Sequence, residues 1–375
     1  MQQVSSLYIH FPFCRHLCNY CDFYKHKLES FDQVLSFEKR LELQVKEHEN
    51  FLREKGAELA QLQTLYIGGG TPSLWSSSGA AFLKKEIIDR YSMSSDCEFT
   101  IEVDPGTWTP QEVDSWVGVG VNRFSIGIQS YDKNFLSVLD RKHTMQEATE
   151  LLNFMQQKKF NFSVDLMLGL PYSYNKEGIK RDVLSEIDKL IEFDPSHFSV
   201  YILKTRKNYL HSIDLPSEDY VADEYLKVCS HLDSKMYEQY EVSNFAKNNK
   251  KSKHNLKYWN YESVACLGSN ATGLIAGKSQ AYRYQWKSVG EGLSLEFLEK
   301  TPYMIENLYM KLRSSGGLCF SDFSGDNLSS FKKNYATWQA RGYIEREDTE
   351  RVFLSSLGFL MLDSLMDDIF RDLTI

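Results

Sequence analysis

Three of the chain's seven cysteines fall within eight residues, in the run Cys14-Arg-His-Leu-Cys18-Asn-Tyr-Cys21. Thiolates are good ligands for soft transition metals, and this spacing lets all three point at one metal site from a single loop. A structural zinc ion would need a fourth ligand nearby or a second cysteine pair downstream, and none of the other cysteines has such spacing. Three thiolates suit a four-iron, four-sulfur (4Fe–4S) cluster that leaves one iron without a protein ligand. The sequence therefore predicts this cluster, with a zinc site or three buried cysteines as alternatives.

The remaining cysteines lie far apart in ordinary contexts, as Cys97, Cys229, Cys266 and Cys319. An odd total in a chain of this size does not indicate a disulfide framework. A lone cysteine commonly behaves as a small apolar side chain that packs in a core. We therefore expect these four to be buried and structural.

Length and composition limit the classes of protein to consider. At 375 residues the chain suits a barrel-sized domain with a smaller appendage. A formal net charge of −8 argues against a general nucleic-acid binder, which would carry a basic surface. The sequence lacks the roughly 18 consecutive apolar residues of a membrane span, and its start lacks the basic and then apolar order of a secretory signal. The expected location is the cytoplasm.

Short β-branched or aromatic runs alternate with longer amphipathic stretches up to about residue 235. Six runs predict strands, over Leu7–His10, Thr64–Ile67, Glu98–Val103, Arg123–Ile128, Phe160–Leu168 and His197–Ile202. The stretches between them predict helices, for example Phe31–Leu52, Ser78–Arg90, Thr144–Gln157 and Gly178–Ile191. Strands that alternate with helices form a parallel sheet, and six units are too few for a closed eight-unit barrel. The predicted fold class is α/β, with a partial (β/α)6 barrel.

The alternation of strands and helices ends after Lys235. Residues 247–257 include five lysines and a histidine, and a stretch rich in small residues follows at Gly268–Gly277. From Thr301 onward the pattern is helical with two short strand candidates. We interpret the end of the chain as a small α+β, winged-helix-like domain, and place the boundary between residues 1–240 and 241–375.

The run from Tyr8 to Phe23, with its three cysteines, resembles the opening of the HemN/HemW group of radical S-adenosylmethionine (SAM) proteins, and the similarity continues over essentially the whole chain. In that group SAM binds the iron that has no protein ligand. The glycine-rich run Gly68–Ser73 follows the second predicted strand, as the glycine motif of the group does. Glycine lets a backbone approach a ligand closely because no Cβ intervenes. The resemblance implies that Gly70 and Thr71 lie at the amino group of SAM.

Polar residues follow the later predicted strands, where barrel proteins place their ligand contacts. The resemblance implies that the methionine and ribose parts of SAM are held by Glu102, Gln129, Arg141 and Asp165. It also implies that Tyr8 and Tyr20 flank the cluster and the nucleoside. For each of these residues the alternative is a hydrogen-bonding cap at the end of a strand.

The group contains an oxygen-independent coproporphyrinogen III oxidase and a haem chaperone, and three features distinguish them. The oxidase has an extension before its cysteines, whereas Cys14 lies near the start of this sequence. The oxidase continues its motif with a further cysteine where this chain has Phe23. The run His254-Asn-Leu-Lys-Tyr258-Trp259 matches a signature of the chaperones. The resemblance therefore implies a haem chaperone.

The same resemblance implies where haem binds. A histidine is a usual axial ligand of haem iron, and aromatic side chains pack against a porphyrin. His254 is the expected iron ligand, with Tyr258 and Trp259 beside the ring. The lysines of 247–257 either face the haem propionates or form a solvated surface. Haem would be delivered to respiratory haemoproteins, and a homodimer that depends on the cluster is a further hypothesis.

Two positions depart from the pattern of the group. Asp140 stands where the group commonly has glycine, although the following Arg141 is kept. After the sixth predicted strand the group has an acidic Glu-x-x-Thr element, and this chain has Lys204-Thr-Arg206. Because the set of SAM-binding positions implied by the resemblance is complete, the alternative function is a radical SAM enzyme that acts on a porphyrin or another substrate, such as the oxidase.

Overall fold

The computed structural model describes residues 1–176, 179–288, 292–323, 325–346, 348 and 350–372. Its main sheet contains six parallel strands in chain order, β1 (Gln2–Phe11), β2 (Ala57–Gly69), β3 (Met93–Val103), β4 (Arg123–Gln129), β5 (Phe162–Leu168) and β6 (His197–Ile202). Each strand pairs in parallel with the next. In the described part of the chain the two edges of the sheet do not pair with each other. The predicted α/β class and partial (β/α)6 barrel are confirmed.

Side chains alternate between the two faces of each parallel strand, as the pleat requires. On β3, Phe99, Ile101 and Val103 join the main hydrophobic core, whereas Glu98 and Glu102 belong to the opposite face. The same period of two recurs on the other parallel strands. One face of the sheet is therefore apolar, and the other directs polar side chains into the partial barrel.

Helices cover the apolar face. They are α1 (Phe31–Glu54), α2 (Ser76–Leu83, continued by a π-helical turn at Lys84–Ile88 and by Asp89–Tyr91), α3 (Pro110–Gly118), α4 (Lys133–Val138), α5 (Met145–Lys158), α6 (Val183–Ile191) and α7 (Glu218–Ser234). Thr144 begins α5 because its hydroxyl accepts a hydrogen bond from the otherwise unpaired N–H of Glu147. The predicted helices are confirmed, except that α6 begins at Val183; its predicted start, Gly178, lies outside the described residues.

Residues from Glu238 onward complete both edges of the main sheet. At one edge, β7 (Glu238–Gln239) pairs with β8 (Asn244–Ala246), which runs antiparallel to β6. At the other edge, β9 (Ala265–Leu267) runs parallel to β1. The sheet thus takes strands from both sides of the expected boundary, and that boundary stays a prediction.

The rest of the chain forms two further sheets with their helices. The elements are α8 (Lys253–Trp259), β10 (Thr272–Ala276), β11 (Ala281–Trp286), β12 (Leu293–Leu298), α9 (Lys300–Leu312), β13 (Leu318–Cys319), α10 (Gly325–Ala340), β14 (Ile344–Arg346), β15 (Arg351–Leu354), α11 (Ser356–Leu360) and α12 (Leu362–Asp372). Leu312 and Trp338 belong to a hydrophobic cluster separate from the main core. The winged-helix-like assignment of this region stays a prediction. Among the described residues, none of the helices has the length and apolar character to cross a membrane.

Trp75 packs directly behind the glycine motif. It is the last residue of a 3-10 turn at Pro72–Trp75, is fully buried, and stacks on Phe11 with ring centroids 5.2 Å apart. One turn later, Gly79 lies against the indole, because a Cβ at this position would be 2.3 Å from Cγ of Trp75. The close approach of α2 to the sheet therefore depends on a glycine.

We expect Gly79→Ala to lower the free energy of unfolding by about 1–3 kcal/mol, because the added methyl group overpacks the buried indole. The matched control is Gly118→Ala at the end of α3, where a Cβ would meet no atom within 4 Å. That control should leave stability unchanged or raise it, since alanine favours helix over glycine by up to ~1 kcal/mol. Urea unfolding checks both variants, and equal stabilities would contradict the packing assignment.

Candidate functional site

Polar side chains converge where the parallel strands end. Glu102 on β3 joins two of these strands: its Oε2 accepts a hydrogen bond from the backbone N–H of Gly69, and its Oε1 accepts one from the hydroxyl of Tyr66, each at 3.0 Å. Gly68 leaves room for this carboxylate, because a Cβ there would lie 2.8 Å from Oε1 of Glu102. The glycine motif and Glu102 therefore fit each other closely.

A second carboxyl group lies on the same inner face. Asp165 on β5 accepts a hydrogen bond from the hydroxyl of Ser125 at 2.9 Å. Burial raises the pKa of Glu102 to about 7, with a further contribution from the charge of Asp165. Burial also raises the pKa of Asp165. Desolvated carboxylates are costly, and a cationic ligand near them would offset that cost. SAM has ammonium and sulfonium groups and is such a ligand.

Arg141 connects this surface with the cysteine loop. Its Nη2 pairs with Asp104 and donates a hydrogen bond to the carbonyl of Gly127 at 2.8 Å. Its Nη1 lies 4.0 Å from Sγ of Cys18. Although burial opposes the charge, Asp104 keeps the pKa of Arg141 above its usual value. The buried Nε has no partner among the described residues, so Arg141 retains a donor for a ligand.

Gln129 ends β4 in an unusual backbone conformation. Its φ of 67° lies in the left-handed region that residues other than glycine rarely adopt, and such conformations cluster at functional sites. The side chains of Gln129 and Arg141 would lie 3.0 and 3.6 Å from a Cβ at Gly127. The structure thus brings the predicted SAM residues Gln129 and Arg141 together at the end of the barrel where Glu102 and Asp165 lie.

Backbone hydrogen bonds hold the cysteine loop at both ends. The segment Phe13–Cys14 pairs in parallel with His26–Lys27 and closes the loop. The N–H of Thr71 donates to the carbonyl of Phe13 at 2.8 Å. Gly70 approaches the same segment so closely that a Cβ would lie 2.6 Å from that carbonyl oxygen. The predicted residues Gly70 and Thr71 therefore lie beside the cysteine loop.

The thiol groups fit an iron–sulfur cluster. Burial raises the pKa of Cys14 to about 11 and also raises that of Cys18, despite the opposing effect of Arg141. These thiols would therefore stay protonated at neutral pH unless a metal bound them as thiolates. In the described ranges, no three His, Cys, Asp or Glu side chains lie close enough to share one metal ion. A 4Fe–4S cluster would bind each thiolate at a different iron, so the cluster stays the prediction for this loop, with zinc as the alternative.

Two cations contact the last cysteine of the loop. Nζ of Lys25 donates a hydrogen bond to the carbonyl of Cys21 at 2.5 Å, and the guanidinium of Arg206 donates to the same oxygen. Arg206 also pairs with Asp22 at 2.5 Å. The resemblance leads one to expect an acidic element after β6. This chain has Arg206 there instead, and its guanidinium binds the cysteine loop.

The two predicted tyrosines occupy different surroundings. The hydroxyl of Tyr8 lies 3.0 Å from Nδ1 of His10, and its ring is 6.0 Å from that of Tyr66 inside the barrel. Tyr20, within the cysteine loop, packs on a small apolar cluster that includes Phe135. Their contacts with a nucleoside stay predictions.

His254, the predicted haem ligand, is buried inside the barrel with 1% of its surface exposed. Its Nδ1 lies 2.8 Å from the hydroxyl of Thr64, and its Nε2 lies 3.4 Å from the hydroxyl of Tyr258. Burial lowers the pKa of His254 to about 3, so the ring is neutral. Both ring nitrogens have partners, and iron could bind Nε2 only after Tyr258 and its neighbours moved.

Trp259 and the lysine-rich segment serve contacts within the protein. The guanidinium of Arg313, at the end of α9, lies 4.9 Å from the Trp259 ring centroid, in cation–π contact. Four of the lysines pair with acidic residues, namely Lys247, Lys251, Lys253 and Lys257. These pairs favour the solvated-surface alternative for the lysines. Haem contacts of Tyr258 and Trp259 stay predictions.

Some residues of the site had no assigned role from the sequence. Tyr66 and Ser125 occupy inward positions of predicted strands, so the period-two pattern could have identified them. Asp104 lies beyond the end of its strand, and its role follows only from its pairing with Arg141. Thr64 contacts His254 across 190 residues of sequence, a contact that no local pattern indicates.

Comparison with known proteins identifies the class to which the fold belongs. Residues 8–182 match the family model of the Radical SAM superfamily. The solved structure of coproporphyrinogen III oxidase (HemN) from Escherichia coli, a radical SAM enzyme, superposes with a TM-score of 0.79 at 19% identity, covering 98% of this chain and 90% of that one. At this identity the likeness shows the fold. The fold, the matched residues and the cysteine loop together define a radical SAM protein.

Similarity to curated proteins indicates which family of radical SAM proteins the chain belongs to. The heme chaperone HemW of Haemophilus influenzae is 33% identical, covering 96% of this chain and 97% of that protein. The heme chaperone HemW of Lactococcus lactis is 28% identical, with 99% of both chains covered. The chain belongs to the HemW family of radical SAM proteins.

We expect the Cys18→Ala variant to lack the broad visible absorption of a thiolate-bound cluster after anaerobic reconstitution with iron and sulfide. The reason is that one iron of the cluster would lose its thiolate ligand. Iron and sulfide content should fall in parallel. Cys97→Ala is the matched control, since Cys97 is buried on β3 outside the loop. Wild-type iron content and absorption in the Cys18 variant would contradict the ligand set.

Proposed function

We propose that this protein is a haem chaperone that binds a 4Fe–4S cluster, SAM and haem and delivers the haem to respiratory haemoproteins. The observation that supports the proposal most is similarity over nearly the whole chain to proteins named heme chaperone HemW. The substitution of Phe23 for the additional cysteine of the oxidase agrees with it.

The cluster would be held by Cys14, Cys18 and Cys21, with Arg141 placing a positive charge beside Cys18. A cluster held there would be a source of one electron for SAM, and the chain's own groups would bind and orient the SAM molecule. Glu102 would accept hydrogen bonds from the ammonium group of SAM in addition to those it accepts from Gly69 and Tyr66. Asp165 and Gln129 would bind the ribose side of SAM.

The affinity for SAM should rise with pH through about 7. The pKa of Glu102 is raised to about 7, so below that pH the carboxyl is neutral and attracts the ammonium group less. Glu102→Gln should bind SAM at least roughly tenfold more weakly, the loss expected for a charge-assisted hydrogen bond, and should show no such step. Anaerobic calorimetry between about pH 6 and 7.5 measures both effects. Glu150→Gln, on the exposed surface of α5, is the control and should behave as wild type; a pH step retained in the Glu102 variant would refute the assignment.

The haem-loaded protein should transfer haem to the apo form of a b-type respiratory haemoprotein. Transfer should appear as loss of the chaperone's Soret band and gain of the acceptor's band after the two proteins are separated. An acceptor already saturated with haem should gain none, which controls for nonspecific partitioning. A wild-type protein that binds no haem, or that retains all of it, would overturn the proposal.

A radical SAM enzyme that acts on a porphyrin is the second candidate. It is supported by the presence of every residue that the resemblance assigns to the methionine and ribose parts of SAM, namely Glu102, Gln129, Arg141 and Asp165. These residues would suit SAM that is cleaved in a reaction as well as SAM that only regulates the protein. Anaerobic incubation with SAM, a reductant and coproporphyrinogen III separates the candidates. Protoporphyrinogen would support the enzyme, and SAM cleavage without protoporphyrinogen would exclude the oxidase.

A further inference from the structure

The turn that ends α4 binds two residues of the cysteine loop that are not predicted ligands. The carbonyl of Val138 accepts a hydrogen bond from the side-chain amide of Asn19 at 3.1 Å. Oδ2 of Asp140 lies 2.6 Å from Nε2 of His16. His16 and Asn19 stand on either side of Cys18 in the sequence. One turn therefore holds the chain before and after the middle cysteine.

Asp140 has a backbone conformation in which glycine is usual. Its φ is 53°. Its N–H donates to the carbonyl of Ser137 at 3.0 Å, and the next N–H, that of Arg141, donates to the carbonyl of Leu136 at 2.9 Å. These two hydrogen bonds form the Schellman motif that ends many helices, with a left-handed residue that is most often glycine. Aspartate adopts this conformation at a higher cost than glycine, which points to a role for its carboxylate.

The carboxylate of Asp140 binds one neighbour through each oxygen. Nζ of Lys142 donates a hydrogen bond to Oδ1 at 2.7 Å, and His16 binds Oδ2. Although burial opposes the charge, these hydrogen bonds hold the pKa of Asp140 below its usual value. A carboxylate can only accept, so Nε2 of His16 donates in this contact. The side chains of His16 and Asp140 are each 33% exposed. Contacts this exposed add little to the stability of the whole chain, so the effect of this one is local.

The cysteine loop needs such contacts because its own backbone is weakly bonded. The N–H of Cys21 donates to the carbonyl of Cys18 at a long 3.4 Å. A loop whose shape is set by contacts with its surroundings keeps that shape when no metal is bound. Binding of a cluster then costs less conformational entropy than binding to a loop that must first be ordered.

We propose that Asp140 is a positioning residue of the cluster site: through His16 it holds the cysteine loop in its binding shape before iron arrives, and it slows release of the bound cluster. This inference rests on the proposed binding of a cluster and adds to it a residue from outside the cysteine motif. The same turn includes Arg141, whose guanidinium lies beside Cys18. The end of α4 therefore positions both the loop and the positive charge next to it.

The first test measures the loop and the whole chain separately, in the full-length protein without a cluster. Asp140→Gly should raise hydrogen exchange of the amides in residues 14–25 roughly fivefold, as the net loss of one hydrogen bond predicts. The midpoint of urea unfolding should stay unchanged or rise, because glycine suits the left-handed turn. His16→Ala should raise exchange equally, and the double variant should exchange no faster than either single variant, because both remove the same contact.

Two further variants separate the carboxylate from the turn. Lys159→Gly is the matched control, since Lys159 ends α5 with a φ of 56° and its N–H donates to the carbonyl of Gln156 at 3.0 Å, as in the turn after α4. Lys159 is exposed and precedes β5, so it lies at the amino end of the sheet, away from the cysteine loop. Its variant should match wild type in loop exchange. Asp140→Asn keeps an acceptor oxygen and tolerates the left-handed conformation, so it should stay close to wild type.

The second test follows release of the cluster to a chelator after anaerobic reconstitution, by loss of visible absorption. Asp140→Gly should release the cluster roughly fivefold faster than wild type or Lys159→Gly, because the same contact is lost. An unchanged release rate would overturn the inference, and so would loop exchange that rises equally in Lys159→Gly. A wild-type protein that binds no iron and sulfide would instead overturn the proposed binding of a cluster, and the inference with it.

Discussion

Side chains on the six parallel strands alternate between an outer face under the helices and an inner face that lines the partial barrel. The outer positions are apolar, as Phe99 and Ile101 show, and this burial stabilises the fold. The inner positions are polar and largely shielded from water, and most of their polar groups need a hydrogen-bonding partner. At the carboxyl ends those partners include the glycine motif and Arg141. At the other end, Glu98 accepts hydrogen bonds from the first N–H groups of α8.

The inner face carries two buried carboxyl groups whose negative charge is costly unless a cationic ligand lies near them. Glu102 and Asp165 take their hydrogen bonds from neutral donors, and burial raises the pKa of both. Buried carboxyl groups of this kind stabilise the fold less than an apolar core of the same size would. A ligand of opposite charge would offset most of their desolvation cost. Binding of such a ligand would therefore also stabilise the folded chain, since the unfolded chain offers no comparable site.

Local patterns were sufficient for the parallel core and the cysteine loop. The six strands could be predicted because each is a short β-branched or aromatic run between longer amphipathic stretches. The cysteine loop could be recognised because the spacing of Cys14, Cys18 and Cys21 is typical of a metal-binding motif, and their binding of a cluster stays a prediction. The short strands β8 and β9 could not, because three residues are too few to show a period, and their membership depends on pairing with distant strands. His254 shows the same limit: its motif was found, but its burial depends on contacts with Thr64 and Glu98 from other elements.

Because β1 pairs with β9, the main sheet can be completed only late in synthesis of the chain. A ribosome makes β1 first, but the strand that flanks it on one side, Ala265–Leu267, is made after two thirds of the chain. Domains fold as units during synthesis, at roughly 5–20 residues per second. The strand that leads into the cysteine loop therefore waits many seconds for its second neighbour. A chain released before residue 265 would leave β1, the strand that leads into the cysteine loop, without its second neighbour in the sheet.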